Sequence, residues 1–251
     1  MCRLNGTSLG IWDRDVLYAG MSLIGRNHAE KPEIVFFDAA GTLIRLARPV
    51  GETYAAVGEH YGMKASGEIV ERRFRQAWRE LNGNQEQERF SKEWWKEVVR
   101  RSLPVEAWWE TFPFDDYFEE VFAVYARADQ WRVYPEVERV LDRLEQAGVR
   151  RAVLSNWDGR LRGILDGLGL ADRFEWIGVS ADLGAAKPDL AIFRRAEEAV
   201  RVSGSQVWLV GDDVEVDVAG ANGAGWRGEL VLRPGCNLED ALAGLWPKLD
   251  P

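Results

Sequence analysis

Val35-Phe36-Phe37-Asp38-Ala39-Ala40-Gly41-Thr42-Leu43 is the stretch on which the reading of this chain turns. With Ile34 it begins as a short run of β-branched and aromatic residues, bounded too closely for a helix and apolar on both faces, as in a strand of a parallel sheet. The run stops at an acid. Taken alone, an aspartate after a strand is more often a helix cap than a nucleophile, so its meaning depends on what the other strands end in.

Working outward, short apolar runs recur at Ala152-Val153-Leu154, Ile177-Gly178-Val179, Val207-Trp208-Leu209-Val210 and Leu230-Val231-Leu232. Longer stretches of helical period separate them. In one, Val137, Val140, Leu141 and Leu144 mark a buried stripe and Gly148 closes the helix. Alternation of this kind predicts an α/β fold, a parallel sheet with helices on both faces. One interval breaks it. From about Arg48 to Trp131 there is only helical pattern, interrupted by Gly62, Gly67, Asn82-Gly83-Asn84, Pro104 and Pro113. The expected organisation is an extension over 1–31, a core from 32–47 and 132–251, and a helical insertion over 48–131. Trp78, Trp94, Trp95, Trp108 and Trp109 fall in that insertion, at spacings that favour bundle packing over a ligand platform. Tyr54 and Trp78 are candidates to face a ligand.

A chain of 251 residues can bury a sizeable core. Its net charge of −9 speaks against nucleic acid or an anionic membrane as partner, both of which need clustered Lys and Arg. Cys2 and Cys236 supply neither a disulfide framework nor metal-ligand spacing. No apolar run approaches the roughly 20 residues of a membrane span, and Asp13, Arg14 and Asp15 interrupt any leader-like segment. A cytoplasmic location is the expectation.

In open α/β sheets ligands bind beyond the carboxyl ends of the strands. Four such boundaries carry polar groups: Asp38 through Thr42, Ser155-Asn156, Lys187-Pro188, and Gly211-Asp212-Asp213 with Asp217 beyond. Each type has a task in phosphoryl transfer, where catalysis is mainly positioning and charge stabilisation. Asp38 can attack; Asp38 and Asp212 can hold a hard cation such as Mg²⁺ through oxygen; Ser155 can donate to phosphoryl oxygens; Lys187 can neutralise developing charge. Individually each piece has a bland alternative as cap, turn or surface acid. Their order along one inferred sheet makes the joint reading the stronger.

These residues resemble the haloacid dehalogenase superfamily over about Glu33 to Arg233. The first motif of its phosphatases, hhhDxDGT, is met by Val35 through Thr42; the second by Val153-Leu154-Ser155-Asn156; the third by Gly184 through Asp189; the fourth by Val210 through Ala221. The first motif reads DAAGTL, as in a helical-cap subgroup. The resemblance implies a Rossmann-like core with an inserted α-helical cap that sets specificity. It implies Asp38 as nucleophile and Mg²⁺ ligand, Ala40 as ligand through its backbone carbonyl, and Asp212 as further ligand. Lys187 becomes a catalytic and phosphate-contacting residue, and Thr42, Ser155 and Asn156 substrate contacts. Asp213 and Asp217 stand as further ligands or as acids behind them. The implied partner is a small phosphorylated substrate; oligomeric state is left open.

One position departs. Phosphatases of this superfamily carry a second aspartate two residues after the nucleophile, as general acid and base; here it is Ala40. What is lost is proton transfer, a contribution of about 10²–10⁴ in rate. The readings are a phosphatase favouring leaving groups that need little protonation, a phosphonoacetaldehyde-hydrolase-like enzyme using a cap lysine such as Lys64, Lys92 or Lys96, a dehalogenase, and a non-catalytic protein that binds a phosphorylated ligand or a protein. Asp212, Asp213 and Asp217 argue against the dehalogenase.

Overall fold

The computed structural model describes residues 31–82, 91–104 and 111–246. Cys2, Trp108, Trp109 and nearly all of the expected extension lie outside them. In chain order come β1 (Ile34–Phe37), β2 (Ile44–Leu46), α1 (Val50–His60), α2 (Gly67–Asn82), α3 (Lys92–Ser102), α4 (Phe114–Val124), β3 (Trp131–Val133), α5 (Val137–Gln146) and β4 (Arg150–Ser155). They are followed by α6 (Arg160–Gly167), β5 (Trp176–Val179), α7 (Ser180–Leu183), α8 (Leu190–Val200), β6 (Val207–Gly211), a π-helical segment (Val214–Ala219), α9 (Gly220–Gly223), β7 (Arg227–Leu230) and α10 (Leu238–Ala241).

Five strands form a parallel sheet in the order β5-β4-β1-β6-β7. All four residues of β1 are fully buried, because helices cover a parallel sheet on both sides. Its side chains alternate: Phe36 stacks on Trp226 with centroids 4.8 Å apart, and Phe37 meets Phe174 edge-on at 6.1 Å. The α5 stripe of Val137, Val140, Leu141 and Leu144 is buried as its period predicts, each side chain contributing about 1.5–3 kcal/mol. Gly148, at φ +65°, takes the left-handed position that ends the helix.

Register places the chemistry. Phe37 pairs with Val153 on one side and Val210 on the other, so Asp38 emerges beside the ends of β4 and β6. The chain runs outward from β1 through β4 to β5, then returns to β6 on the opposite flank. Asp38 therefore sits where the strand order reverses, the usual ligand position in such sheets.

Two expectations shift. The last strand is Arg227–Leu230, not Leu230–Leu232; it is an edge strand, half-buried and partly charged, so its pairing is invisible to an apolar run. The helix after Lys187 begins at Leu190, because the Asp189 carboxylate accepts from Ala191 N–H at 2.9 Å and caps it. By contact, Leu46–Arg132 groups with Trp157–Gly169 in one compact unit, so the segment holding α6 leaves the core to which 132–251 had been assigned.

That helical unit is held by close backbone approach and aromatic packing. A methyl on Gly51 of α1 would lie 2.1 Å from the Gly67 carbonyl of α2. Tyr54 is buried, edge-on to Phe74 and Tyr125. Trp78, Trp94 and Trp95 pack on one another at 4.9–5.7 Å, the bundle role favoured for them. Among the described residues no helix is long and apolar enough to cross a membrane.

Two glycine substitutions test this packing. A methyl on Gly228 of β7 would stand 2.6 Å from the Val218 carbonyl, against backbone that cannot yield; Gly228→Ala should cost about 1–3 kcal/mol. Gly163, mid-α6, meets nothing within 4 Å; Gly163→Ala should stabilise by about 0.5–1 kcal/mol. Urea denaturation of the two variants should move in opposite directions.

Candidate active site

Five of the residues singled out in the sequence converge at the carboxyl end of the sheet. The Lys187 ammonium donates to Asp38 Oδ1 at 2.8 Å and to Asp217 Oδ1 at 2.6 Å. Ser155 Oγ, from the end of β4, donates to the same Asp38 oxygen at 3.0 Å. One carboxylate oxygen from each of Asp38, Asp212 and Asp217 lies within 4.8 Å of the others. Lys187 and Asp217 are each only 2% exposed, so this charge is desolvated.

The backbone around these groups is held by side chains. Asn156 accepts from Lys187 N–H and donates to the Lys187 carbonyl, both at 2.8 Å. That pair fixes the main chain carrying the ammonium and engages both ends of an amide expected to touch substrate. Asp217 Oδ2 accepts from Asp213 N–H at 3.0 Å. Asp213 caps the π-helical segment, its Oδ1 accepting from Glu215 and Val216 N–H at 2.9 and 3.1 Å. Ala40 is half-buried in the loop after β1. Thr42 is fully buried, and its hydroxyl has no hydrogen-bond partner among the described residues.

Electrostatics follow from burial and proximity. Burial penalises the Lys187 ammonium, but Asp217 and Asp38 together outweigh it and raise the amine above the ordinary lysine range. Burial also pushes the Asp217 carboxyl up to about 6, with Lys187 opposing and Asp38 adding to the rise. Asp212 is raised well above the usual carboxylate range by burial and then by the charges of Asp38, Asp217 and Asp213. Three carboxylates against one ammonium leave a local excess of about two negative charges, and Asp212 is the group least compensated. A compact set of hard oxygen donors with this excess fits a divalent cation such as Mg²⁺.

One residue at the site escaped the sequence reading. Arg233, after β7, donates to the carbonyls of Gly41 and Thr42 at 3.1 Å each and to Glu136 at 2.5 Å. A signal existed: Arg233 follows the last apolar run, the kind of strand boundary that yielded the other candidates.

The fold and this acidic site define an α/β protein with its functional groups gathered at one sheet end. The sequence pattern of the haloacid dehalogenase-like hydrolases matches residues 32–225, and the chain belongs to that family. It is 31% identical to haloacid dehalogenase-like hydrolase domain-containing protein 3 of Mus musculus over 209 residues, covering 81% of this chain and 83% of that protein. A phosphoserine phosphatase of Thermus thermophilus is 36% identical over 116 residues, 45% of this chain and 47% of that one. Among solved structures, L-2-haloacid dehalogenase from Xanthobacter autotrophicus superposes with a TM-score of 0.61 at 23% identity, covering 88% of this chain and 85% of that one. A HAD phosphatase from Thermococcus onnurineus gives 0.57 at 24% identity, covering 81% and 87%.

Lys187→Met should leave two buried carboxylates without their cation and cost about 3–5 kcal/mol. An acid whose folded pKa is raised binds protons more tightly folded than unfolded, so its stabilisation is lost as pH rises through the folded value. The cost of Lys187→Met, read by denaturant unfolding without divalent metal, should therefore be largest near pH 8 and shrink toward pH 5. A cost that grows on acidification would contradict this charge balance.

Proposed function

We propose that the protein is a Mg²⁺-dependent phosphomonoester hydrolase acting on a small phosphorylated molecule through an aspartyl-phosphate at Asp38. The carrying observation is that Ser155 and Lys187 both donate to Oδ1 of Asp38. The carboxylate is thereby gripped by one oxygen, and Oδ2 becomes the attacking atom. It forms a bond to phosphorus as the bond from phosphorus to the leaving oxygen breaks. Water then hydrolyses the acyl phosphate, releasing phosphate and restoring Asp38. Lys187 places its positive charge against Asp38 and offsets charge on the phosphoryl oxygens. The buried hydroxyl of Thr42 is assigned to a phosphoryl oxygen.

The cation would be held by Asp38, Asp212 and the Ala40 carbonyl. When bound it supplies charge that lets a carboxylate approach a phosphate. Asp217 is assigned a supporting part, since its two oxygens already serve Lys187 and Asp213 N–H. Asp213 is likewise assigned to capping. The local match to a phosphoserine phosphatase supports a phosphate ester as substrate class. A cap-lysine mechanism finds less support: Lys92 and Lys96 are tied in surface ion pairs to Glu119 and Asp115 at 2.6 and 2.8 Å.

Ala40 favours one second reading, a protein of this fold that binds a phosphorylated ligand without turnover. Hydrolysis of an aryl phosphate separates the two. Expected are turnover abolished by chelation of Mg²⁺ and by Asp38→Asn, phosphate trapped on Asp38 in the steady state, and a faster Ala40→Asp variant, by up to about 10²–10⁴-fold. Folded, Mg²⁺-binding protein that turns over in neither wild type nor Ala40→Asp would transfer the assignment to the binding reading.

A further inference from the structure

The loop that follows Asp38 is closed on itself on one side and open on the other. Ala39 carbonyl accepts from Leu43 and Ile44 N–H, and Gly41 N–H donates to the Ile44 carbonyl at 2.8 Å. The carbonyls of Gly41 and Thr42 accept none of these turn bonds. Among the described residues the donor to both is Arg233, lying 192 and 191 positions further along the chain, through Nε and Nη2 at 3.1 Å.

Arg233 is itself fixed from two further directions. Its Nη2 donates to Glu136 Oε1 at 2.5 Å, and its guanidinium carbon stands 3.4 Å from the centre of the Tyr134 ring. Glu136 is 4% exposed and accepts as well from Leu238 N–H at 3.3 Å. A planar fork with donors at set angles, stacked on an aromatic face, suits a guanidinium and not an ammonium. On the loop's other side Gly41, at φ +86°, is pressed against Asp212: a methyl there would lie 2.3 Å from Asp212 Oδ2. The loop thus lies between Arg233, which holds its carbonyls, and Asp212, which abuts its Cα.

We infer that Arg233, oriented by Glu136 and Tyr134, is a positioning residue that sets the loop Ala40–Thr42, and through it the Ala40 carbonyl and the Thr42 hydroxyl, against Asp38 and Asp212. Arg233 touches neither carboxylate; it acts through the loop backbone. The inference rests on the proposed role of Asp38, and it adds a requirement that the motif residues alone do not carry.

Arg233→Lys is the discriminating variant, since it keeps the charge beside Glu136 and loses the fork. Three quantities are read: kcat and KM on an aryl phosphate with Mg²⁺, thermal stability, and amide hydrogen exchange of the peptide covering 39–44. Expected are kcat lowered by about 10²-fold, the cost of a small misplacement at a reacting centre, with KM held, Tm near wild type and faster exchange in 39–44. Glu136→Gln should give a weaker form of the same pattern. Wild-type kcat and wild-type exchange in Arg233→Lys would overturn the inference. So would a kcat loss that follows Tm in both variants while exchange in 39–44 stays unchanged, because that pattern marks general destabilisation. Should wild type turn over no phosphate ester, the proposed function falls and exchange alone decides: faster in Arg233→Lys sustains the positioning role, and unchanged ends it.

Discussion

Too much negative charge in too little water is the constraint around which the core is arranged. Asp38, Asp212 and Asp217 meet at the end of a sheet whose strands are otherwise apolar, and one desolvated ammonium serves two of them. Such a cluster persists only if every oxygen is placed, because an unpaired buried carboxylate protonates or disrupts the fold. The surroundings are cut to admit it. A methyl on Gly211 would fall 2.2 Å from Asp217 Cγ, and one on Gly41 would meet Asp212. Both glycines are required by the carboxylates beside them, quite apart from the turns they occupy.

What could be read from the sequence was what local chemistry writes there. β1 and β6 were legible because strands buried on both faces are continuous apolar runs. Asp38, Ser155 and Asp212 were legible because strand ends are where ligands bind, and the register of Phe37 with Val153 and Val210 brings those ends together; Lys187, between α7 and α8, was legible from its place in the order of the motifs. The short strands Ile44–Leu46 and Trp131–Val133 carried no periodic signal at three residues each. β7 was misplaced because edge pairing is a backbone property. The engagement of Asn156 with the Lys187 main chain, and the clamp of Arg233 on the loop after β1, were beyond reach for another reason: each depends on residues that only the folded sheet makes neighbours.

The fold alone does not choose the reaction. A dehalogenase and a phosphatase superpose on this chain about equally well, at TM-scores of 0.61 and 0.57. On the proposed reading the choice lies in the donor set. Displacing halide from a carbon centre calls for a carboxylate nucleophile and a base for the water that cleaves the resulting ester, with no cation needed to offset charge at the reacting carbon. Transfer of a phosphoryl group brings negative charge toward a negative nucleophile, which a cation-holding set of carboxylates relieves. Asp212, the group whose burial and neighbours most disfavour ionisation, is informative here. Without a cation its charge is poorly compensated, and on the proposed reading it is the residue that gives the acidic cluster a purpose.

Ala40 bears on the other half of the reaction. A side-chain acid at this position would add a fourth carboxylate to the cluster; alanine keeps the backbone carbonyl and removes the proton donor. On the proposed reading, attack by Asp38 is then unassisted at the leaving oxygen, and the barrier depends on how well that oxygen bears charge unprotonated. Alkyl phosphates, whose alkoxides are strong bases, suffer most, while aryl and acyl phosphates suffer least. The second step meets the same lack, because water must attack the acyl phosphate without a carboxylate to take its proton. Selectivity by leaving-group basicity and slow release of phosphate would then share one cause: a methyl group at residue 40 where a carboxyl would serve both steps.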